Sequence, residues 1–171
     1  MNNNQYNNNK TTSTTITPPV NDTNKQKIDN NIATLNIRQL NDIKIQNLSA
    51  YLDKNDIDIL SIIEMRISNK KLNFITRNKF MNHQIFGTVG AKFNKSETLI
   101  IVKKEIAKHI SKIEKFNGRI LKMEFTFSEQ HKLAIISVYN KSGDKGQDCV
   151  KTRIEINKEI MKMIKDSKKK N

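Results

Sequence analysis

The chain has 171 residues, room for one ordinary domain, and 36% of them are hydrophobic, enough for a core if they cluster. Its formal net charge of +14 at pH 7 favours polyanionic partners, nucleic acid and DNA first, and its single cysteine, Cys149, excludes an intramolecular disulfide and fits a reducing compartment. No apolar run reaches the ~20 residues of a spanning helix and the start has no hydrophobic signal core, so a soluble, intracellular protein with no membrane partner is expected, nucleus and cytoplasm undistinguished.

Residues 1–29 are Asn, Gln, Thr and Ser around Pro18 and Pro19, too polar to offset the entropy of ordering, and predict a disordered tail. The pattern changes at Ile32, where a short run of β-formers through Arg38 reads as a buried strand. Leu40, Ile43, Leu48, Tyr51 and Leu52 recur at helical spacing and predict an amphipathic helix over 40–54, stopped by the turn at Lys54, Asn55 and Asp56. Ile57 to Ile63 is a second strand, and strand, helix, strand in this length predicts a parallel, right-handed βαβ unit. A basic helix or loop over 69–82 and a strand near 84–88 follow. Strands over 97–102, 118–127 and 132–139 come in quick succession and predict antiparallel pairing at the far side of the same, therefore mixed, sheet. The last helix, over 147–165, puts Ile156, Ile160, Met163 and Ile164 on one face ahead of a basic tail over 166–171.

Three apolar strands end on polar residues: Asn36 and Arg38 after the first, Glu64 and Arg66 after the second, Tyr139 and Asn140 after the last. In α/β sheets that edge is where side chains leave the core and converge on a crevice, so Asn36, Glu64 and Tyr139 are expected to meet. Each has a plainer reading: Asn36 as a turn residue, Glu64 as a carboxylate facing water, Tyr139 as a core-edge aromatic, Arg66 as a surface arginine. His83, His109 and His131 show no metal-like spacing and are expected at the surface.

The segments Thr34-Leu35-Asn36-Ile37-Arg38, Asp58-Ile59-Leu60 with Glu64 and Arg66, and Ile136-Ser137-Val138-Tyr139-Asn140, in this order, resemble the endonuclease/exonuclease/phosphatase superfamily. The likeness is greatest to nuclease domains of non-LTR retrotransposons and their apurinic-endonuclease relatives, over residues 30–165, the first half to two-thirds of such a domain. The resemblance implies an α/β fold with a mixed β-sheet and flanking helices, the amino-terminal part of a DNase I-like four-layer α/β sandwich, and a Mg²⁺- (or Mn²⁺-) dependent phosphodiesterase acting on DNA. On that basis Glu64 is a metal ligand, Asn36 the amide that orients neighbouring groups, Tyr139 the phenol on a phosphate oxygen, and Arg66 a substrate-binding cation.

The departures carry as much weight. The family's Gly-Asp-x-Asn and Ser-Asp-His segments, which position and activate the attacking water, are not in this sequence. Gly143-Asp144-Lys145-Gly146 lacks the Asn and reads as a turn, Met65 stands where threonine is usual, and Lys141 where proline is common. The expectation is a truncated, inactive domain, with a non-catalytic nucleic-acid-binding protein or a retrotransposon gene fragment as alternatives. A sheet apolar on both sides, with both clear helices on one of them, also leaves Ile100, Val102 and Ile135 or Ile136 bare, and predicts self-association through that face.

Overall fold

The structure, a computed structural model, describes residues 30–76, 79–88, 95–128, 131–140 and 147–168. The tail at 1–29 and the turn at 143–146 lie outside the described residues. The chain runs β1 (Ile32–Asn36), α1 (Asp42–Lys54), β2 (Ile59–Ser68), α2 (Asn69–Thr76), β3 (His83–Gly87), β4 (Lys95–Lys103), α3 (Lys104–Ala107), β5 (Ile110–Phe116), β6 (Ile120–Thr126), β7 (Lys132–Val138) and α4 (Gln147–Lys168).

Two sheets form. β1, β2, β4 and β3 lie side by side in that order, β1 parallel to β2 and the other pairs antiparallel. β5, β6 and β7 make a separate antiparallel meander. The alternation of side chains along β2 and β4 sends Leu60, Ile62, Leu99 and Ile101 to one face, against Ile45, Leu48 and Leu52 of α1 and Leu72 of α2. Ile59, Ile100 and Val102 point the other way and pack on Leu121, Met123 and Phe125 of β6. The outer face of the meander offers Ile120 to Ile156 and Met163 of α4. Helices, sheet, sheet, helix therefore make four layers with three apolar seams.

This arrangement corrects three expectations. The second sheet is not awaited from later sequence: it is built from residues 110–138 of this chain. The strands at 118–127 and 132–139 do not extend the first sheet but belong to the second, and β5 is a further strand between them and β4. The two long helices cover opposite outer faces, so Ile100 and Val102 are fully buried, Ile135 and Ile136 half-buried, and the bare face proposed for self-association is closed. The C-terminal helix also runs on to Lys168, beyond the expected 165, leaving 169–171 outside the described residues.

Two polar contacts tie the layers. Ser61 Oγ and Ser137 Oγ, both buried, stand 2.7 Å apart between β2 and β7 and join sheet to sheet. Lys122 has a side chain with 0% exposure on the outer face of β6, and its Nζ donates to Glu114 Oε2 at 2.9 Å, Glu124 Oε1 at 2.6 Å and the Met163 carbonyl at 3.0 Å. All three ammonium donors are thus used, which is the condition for burying a lysine at all. Burial alone would lower the Lys122 pKa, but the hydrogen bonds and charges of Glu124 and Glu114 outweigh it and hold the pKa above its ordinary value. Glu124 is held below the usual range by the Lys122 hydrogen bond, and Glu114 is also lowered, its burial outweighed by Lys122 and Lys112.

Candidate functional site

The residues that follow β1 run beside the middle of β2, which continues to Ser68 instead of ending before Glu64. Ile37 N donates to the Ile63 carbonyl at 3.2 Å, Gln39 N to Glu64 at 2.9 Å and Leu40 N to Met65 at 3.0 Å, so pairing continues beyond β1 itself. The loop is pinned from behind by α1, whose Lys44 Nζ donates to the carbonyls of Ile37 at 2.7 Å and Gln39 at 2.9 Å. Asn41 caps that helix by accepting from Lys44 N at 2.9 Å.

Along β2 the register with β4 breaks between Ile63 and Ile67. Glu64 and Arg66 adopt positive φ of 63° and 51° there, facing Arg38 at 51° and Gln39 at 116° across the strand pair. Non-glycine residues in this region cost on the order of 1–3 kcal/mol each and persist where surrounding structure over-determines them. Met65, between the two charged residues, is fully buried in the helix-side core and supplies that anchor. A fully buried position of this kind favours the long apolar methionine over threonine.

Within this bulge the side chains of Glu64 and Arg66, two residues apart, form an ion pair. The Glu64 carboxylate is 14% exposed and the Arg66 side chain 55%. The Glu64 charge raises the Arg66 pKa above its ordinary value, and the Tyr139 phenol adds to the same hold. Tyr139, immediately after β7, is fixed by its own N–H, which donates to the Arg119 carbonyl at 2.8 Å. The Arg119 guanidinium lies over the Tyr139 ring, 5.6 Å from its centre.

Asn36 lies in register with Ile63, the residue before Glu64, is exposed, and its Oδ1 accepts from Arg38 N at 3.2 Å. Its side chain thus closes the turn at the β1 end, next to the Glu64 backbone. Glu64, Arg66 and Tyr139 are brought together, and Asn36 is their neighbour across the β1–β2 pair.

Arg119 carries no strand-end signal, because it precedes its strand. The signal was Asn117-Gly118, with φ of 47° and 68°, a turn pair that folds β5 back onto β6 and returns Arg119 to the edge where β7 ends. The histidines divide differently from expectation. His83 is not at the surface: it is 7% exposed, paired with β4 from the first residue of β3. His109 is half-buried with its ring 4.9 Å from Phe127, and His131 is half-buried with Nδ1 2.9 Å from Ser128 Oγ. Among the described residues no group of three or more His, Cys, Asp or Glu is placed to hold a metal, and the Cys149 side chain lies outside them.

No protein-family model matches the chain, and no curated protein does. Solved structures do. The AP endonuclease LMAP from Leishmania major superposes with a TM-score of 0.52 at 16% identity, over 65% of this chain and 40% of that one. Humanized TDP2 from D. rerio gives 0.52 at 15% identity, over 77% of this chain and 55% of that one. The fold is DNase I-like. A DNase I-like fold is what the sequence resemblance implied. D. rerio TDP2 complexed with single strand DNA product matches as well, with a TM-score of 0.50 at 14% identity over 77% of this chain and 54% of that one. The chain spans about half the length of the DNase I-like proteins it matches. Among the described residues no helix is long and apolar enough to cross a membrane.

Proposed function

We propose that this chain binds nucleic acid where β1 and β7 finish beside the β2 bulge, that Glu64 there is a ligand for Mg²⁺ or Mn²⁺, and that its 171 residues alone do not hydrolyse the phosphodiester. One observation carries the reading: a carboxylate, two guanidinium groups and a phenol, drawn from β2, the start of β6 and the end of β7, meet at a strained bulge. Ionisable groups clustered on strained backbone mark functional sites more often than structural ones. That one DNase I-like protein was crystallised with a single strand DNA product makes DNA the first polymer to test.

The donor set suits magnesium in one way only. Mg²⁺ is commonly held by one or two carboxylates together with waters and substrate phosphates, and a partly exposed Glu64 beside the Asn36 amide fits that pattern. When bound, such a metal supplies a Lewis acid to a phosphate oxygen. Tyr139 offers its phenol to the phosphate, Arg66 contributes charge, and Asn36 shapes the turn beside them. Arg66 pairs with one oxygen of Glu64, Oε1, so a metal held by Glu64 would share the carboxylate with that guanidinium.

What the sequence lacks is a group to take the proton from water, since neither Gly-Asp-x-Asn nor Ser-Asp-His is present. General base catalysis is worth about 10²–10⁴-fold, and its loss leaves binding without turnover. The test is a pair of assays on the full chain with Mg²⁺: binding of a labelled duplex at low salt, and nicking of supercoiled plasmid against the Glu64→Ala variant. Binding without Glu64-dependent nicking is expected. Nicking that disappears in Glu64→Ala would refute the inactivity, and no binding at low salt would refute the whole reading.

A further inference from the structure

The site holds one charged group that the proposed metal chemistry does not use. Arg119 stacks over Tyr139, yet its Nη1 is buried and has no hydrogen-bond partner. A desolvated guanidinium N–H without an acceptor is costly, and cations in this position are ordinarily matched by a carboxylate. The carboxylate of this site, Glu64, is engaged by Arg66. Arg66 is itself more than half exposed and reaches toward Tyr139. Counted together, Arg66, Arg119, Glu64 and Tyr139 carry a net positive charge, with one guanidinium open to solvent and the other short of an acceptor. Planar guanidinium forks match phosphate oxygens in pairs, and stacking on the ring fixes Arg119 in advance.

We infer that Arg119 and Arg66, with Tyr139 between their roles, form a phosphate subsite that takes a phosphodiester group of a nucleic-acid strand without any divalent cation. The inference rests on the nucleic-acid reading above and adds to it a metal-free binding mode. Arg66 paired to Glu64 Oε1 offsets the carboxylate charge, so the metal-free chain presents a site already neutralised toward anions. Because Nη1 is closed to solvent, the Arg119 guanidinium turns toward the phosphate as it arrives and gains there the acceptor it lacks.

The sequence offers a clean reporter, having no tryptophan and three tyrosines. In a Tyr6→Phe/Tyr51→Phe background the remaining tyrosine emission comes from Tyr139. In EDTA, inorganic phosphate is titrated against chloride at equal ionic strength, and a labelled oligothymidylate is titrated by anisotropy. A saturable change in Tyr139 emission with phosphate and none with chloride is expected. Oligothymidylate binding in EDTA is expected to weaken about tenfold in Arg119→Gln, to stay weak in Arg119→Lys, and to change less than about threefold in Lys158→Gln/Lys162→Gln on the outer face of α4, since those lysines offer exposed point charges and not paired guanidinium contacts.

Oligothymidylate binding in Arg119→Gln equal to wild type overturns the inference, as does a chain that binds only when Mg²⁺ is added. In both cases the nucleic-acid reading survives. If Arg119→Gln does not fold, the emission arm decides on its own, because it leaves Arg119 in place: no saturable response to phosphate overturns the subsite. Absence of oligonucleotide binding in EDTA and in Mg²⁺ alike overturns both readings together.

Discussion

Substituting Lys122 by methionine removes the ammonium but keeps most of the side-chain volume, so what is lost is charge rather than packing. Glu114 and Glu124, 24% and 17% exposed, are then left facing each other across the place where Nζ stood. Removing one partner of a buried ion pair costs ~3–5 kcal/mol, because the remaining charge stays desolvated and uncompensated. The low end applies here. Both carboxylates keep some water, Lys112 still reaches Glu114 at 2.9 Å, and the Met163 carbonyl keeps the Ser167 hydroxyl at 3.0 Å. A loss of about 3 kcal/mol is therefore expected, a large share of a total of ~5–15 kcal/mol, with a fall in Tm of roughly 10 °C. Removing all three charges in Lys122→Met/Glu114→Met/Glu124→Met should restore most of it, since an apolar replacement of a buried triad is commonly neutral or better. Urea unfolding followed by circular dichroism at 222 nm measures both. A single-variant loss under about 1 kcal/mol, or a triple variant as unstable as the single, would refute the assignment of Lys122 as the clamp of α4.

The same triad sets a pH window: Glu114 and Glu124 titrate below their ordinary 4.5, so their contribution is present above that value and is lost as pH falls through their folded pKa values. Lys122 titrates above its ordinary 10.5, so its contribution holds below that value and goes only at higher pH. The penalty of Lys122→Met should thus be flat between about pH 5 and 10 and shrink on acidification, and a penalty unchanged at pH 3 contradicts this. Ser61→Ala should cost about 1–3 kcal/mol by stranding the buried Ser137 hydroxyl, while Ser61→Ala/Ser137→Ala should cost less than the sum of the two; additive losses would deny the inter-sheet bond. DNA affinity should fall steeply and log-linearly with salt, and binding that persists at about 0.5 M would point to contacts other than phosphate.

Much of this fold was legible because its buried strands are written without interruption. Ile57 to Ile63 and Leu99 to Val102 are apolar on both faces, which announces a sheet covered on both sides, and α1 and α4 carry clear helical periodicity. The second sheet was hidden by β5. Its Lys112 and Glu114 point toward α4, where they belong to the Lys122 network, so the apolar residues left to read, Ile110, Ile113 and Phe116, recur every third position and mimic a helix. A strand whose inward positions are filled by ions has no period-two signature, and without it the meander merged into the first sheet. At the site, Glu64 and Tyr139 were legible because each directly follows an apolar run, although β2 continues through Glu64 to Ser68 and only Tyr139 lies beyond the end of its strand. Arg119 was not, because it precedes one, and only the antiparallel return of β6 against β7 brings it beside Tyr139.

The two sheets differ in how far apart along the chain their partners lie, and that difference orders their assembly. Each strand of the meander pairs with its immediate successor across a short connection, as Phe116 does with Ile120. The first sheet needs Ile32 to find Ile59 and Ile59 to find Val102, with helices intervening. Loop closure is slower and more costly for the distant pairs, so the meander is expected to be formed in the folding transition state and the first sheet to condense on it. Stopped-flow φ-values should be high for Met123→Ala and low for Ile62→Val, and the reverse order would reject the scheme. The arginine face of the site is then assembled first, and the carboxylate that gives it chemistry joins only when the β2 bulge docks.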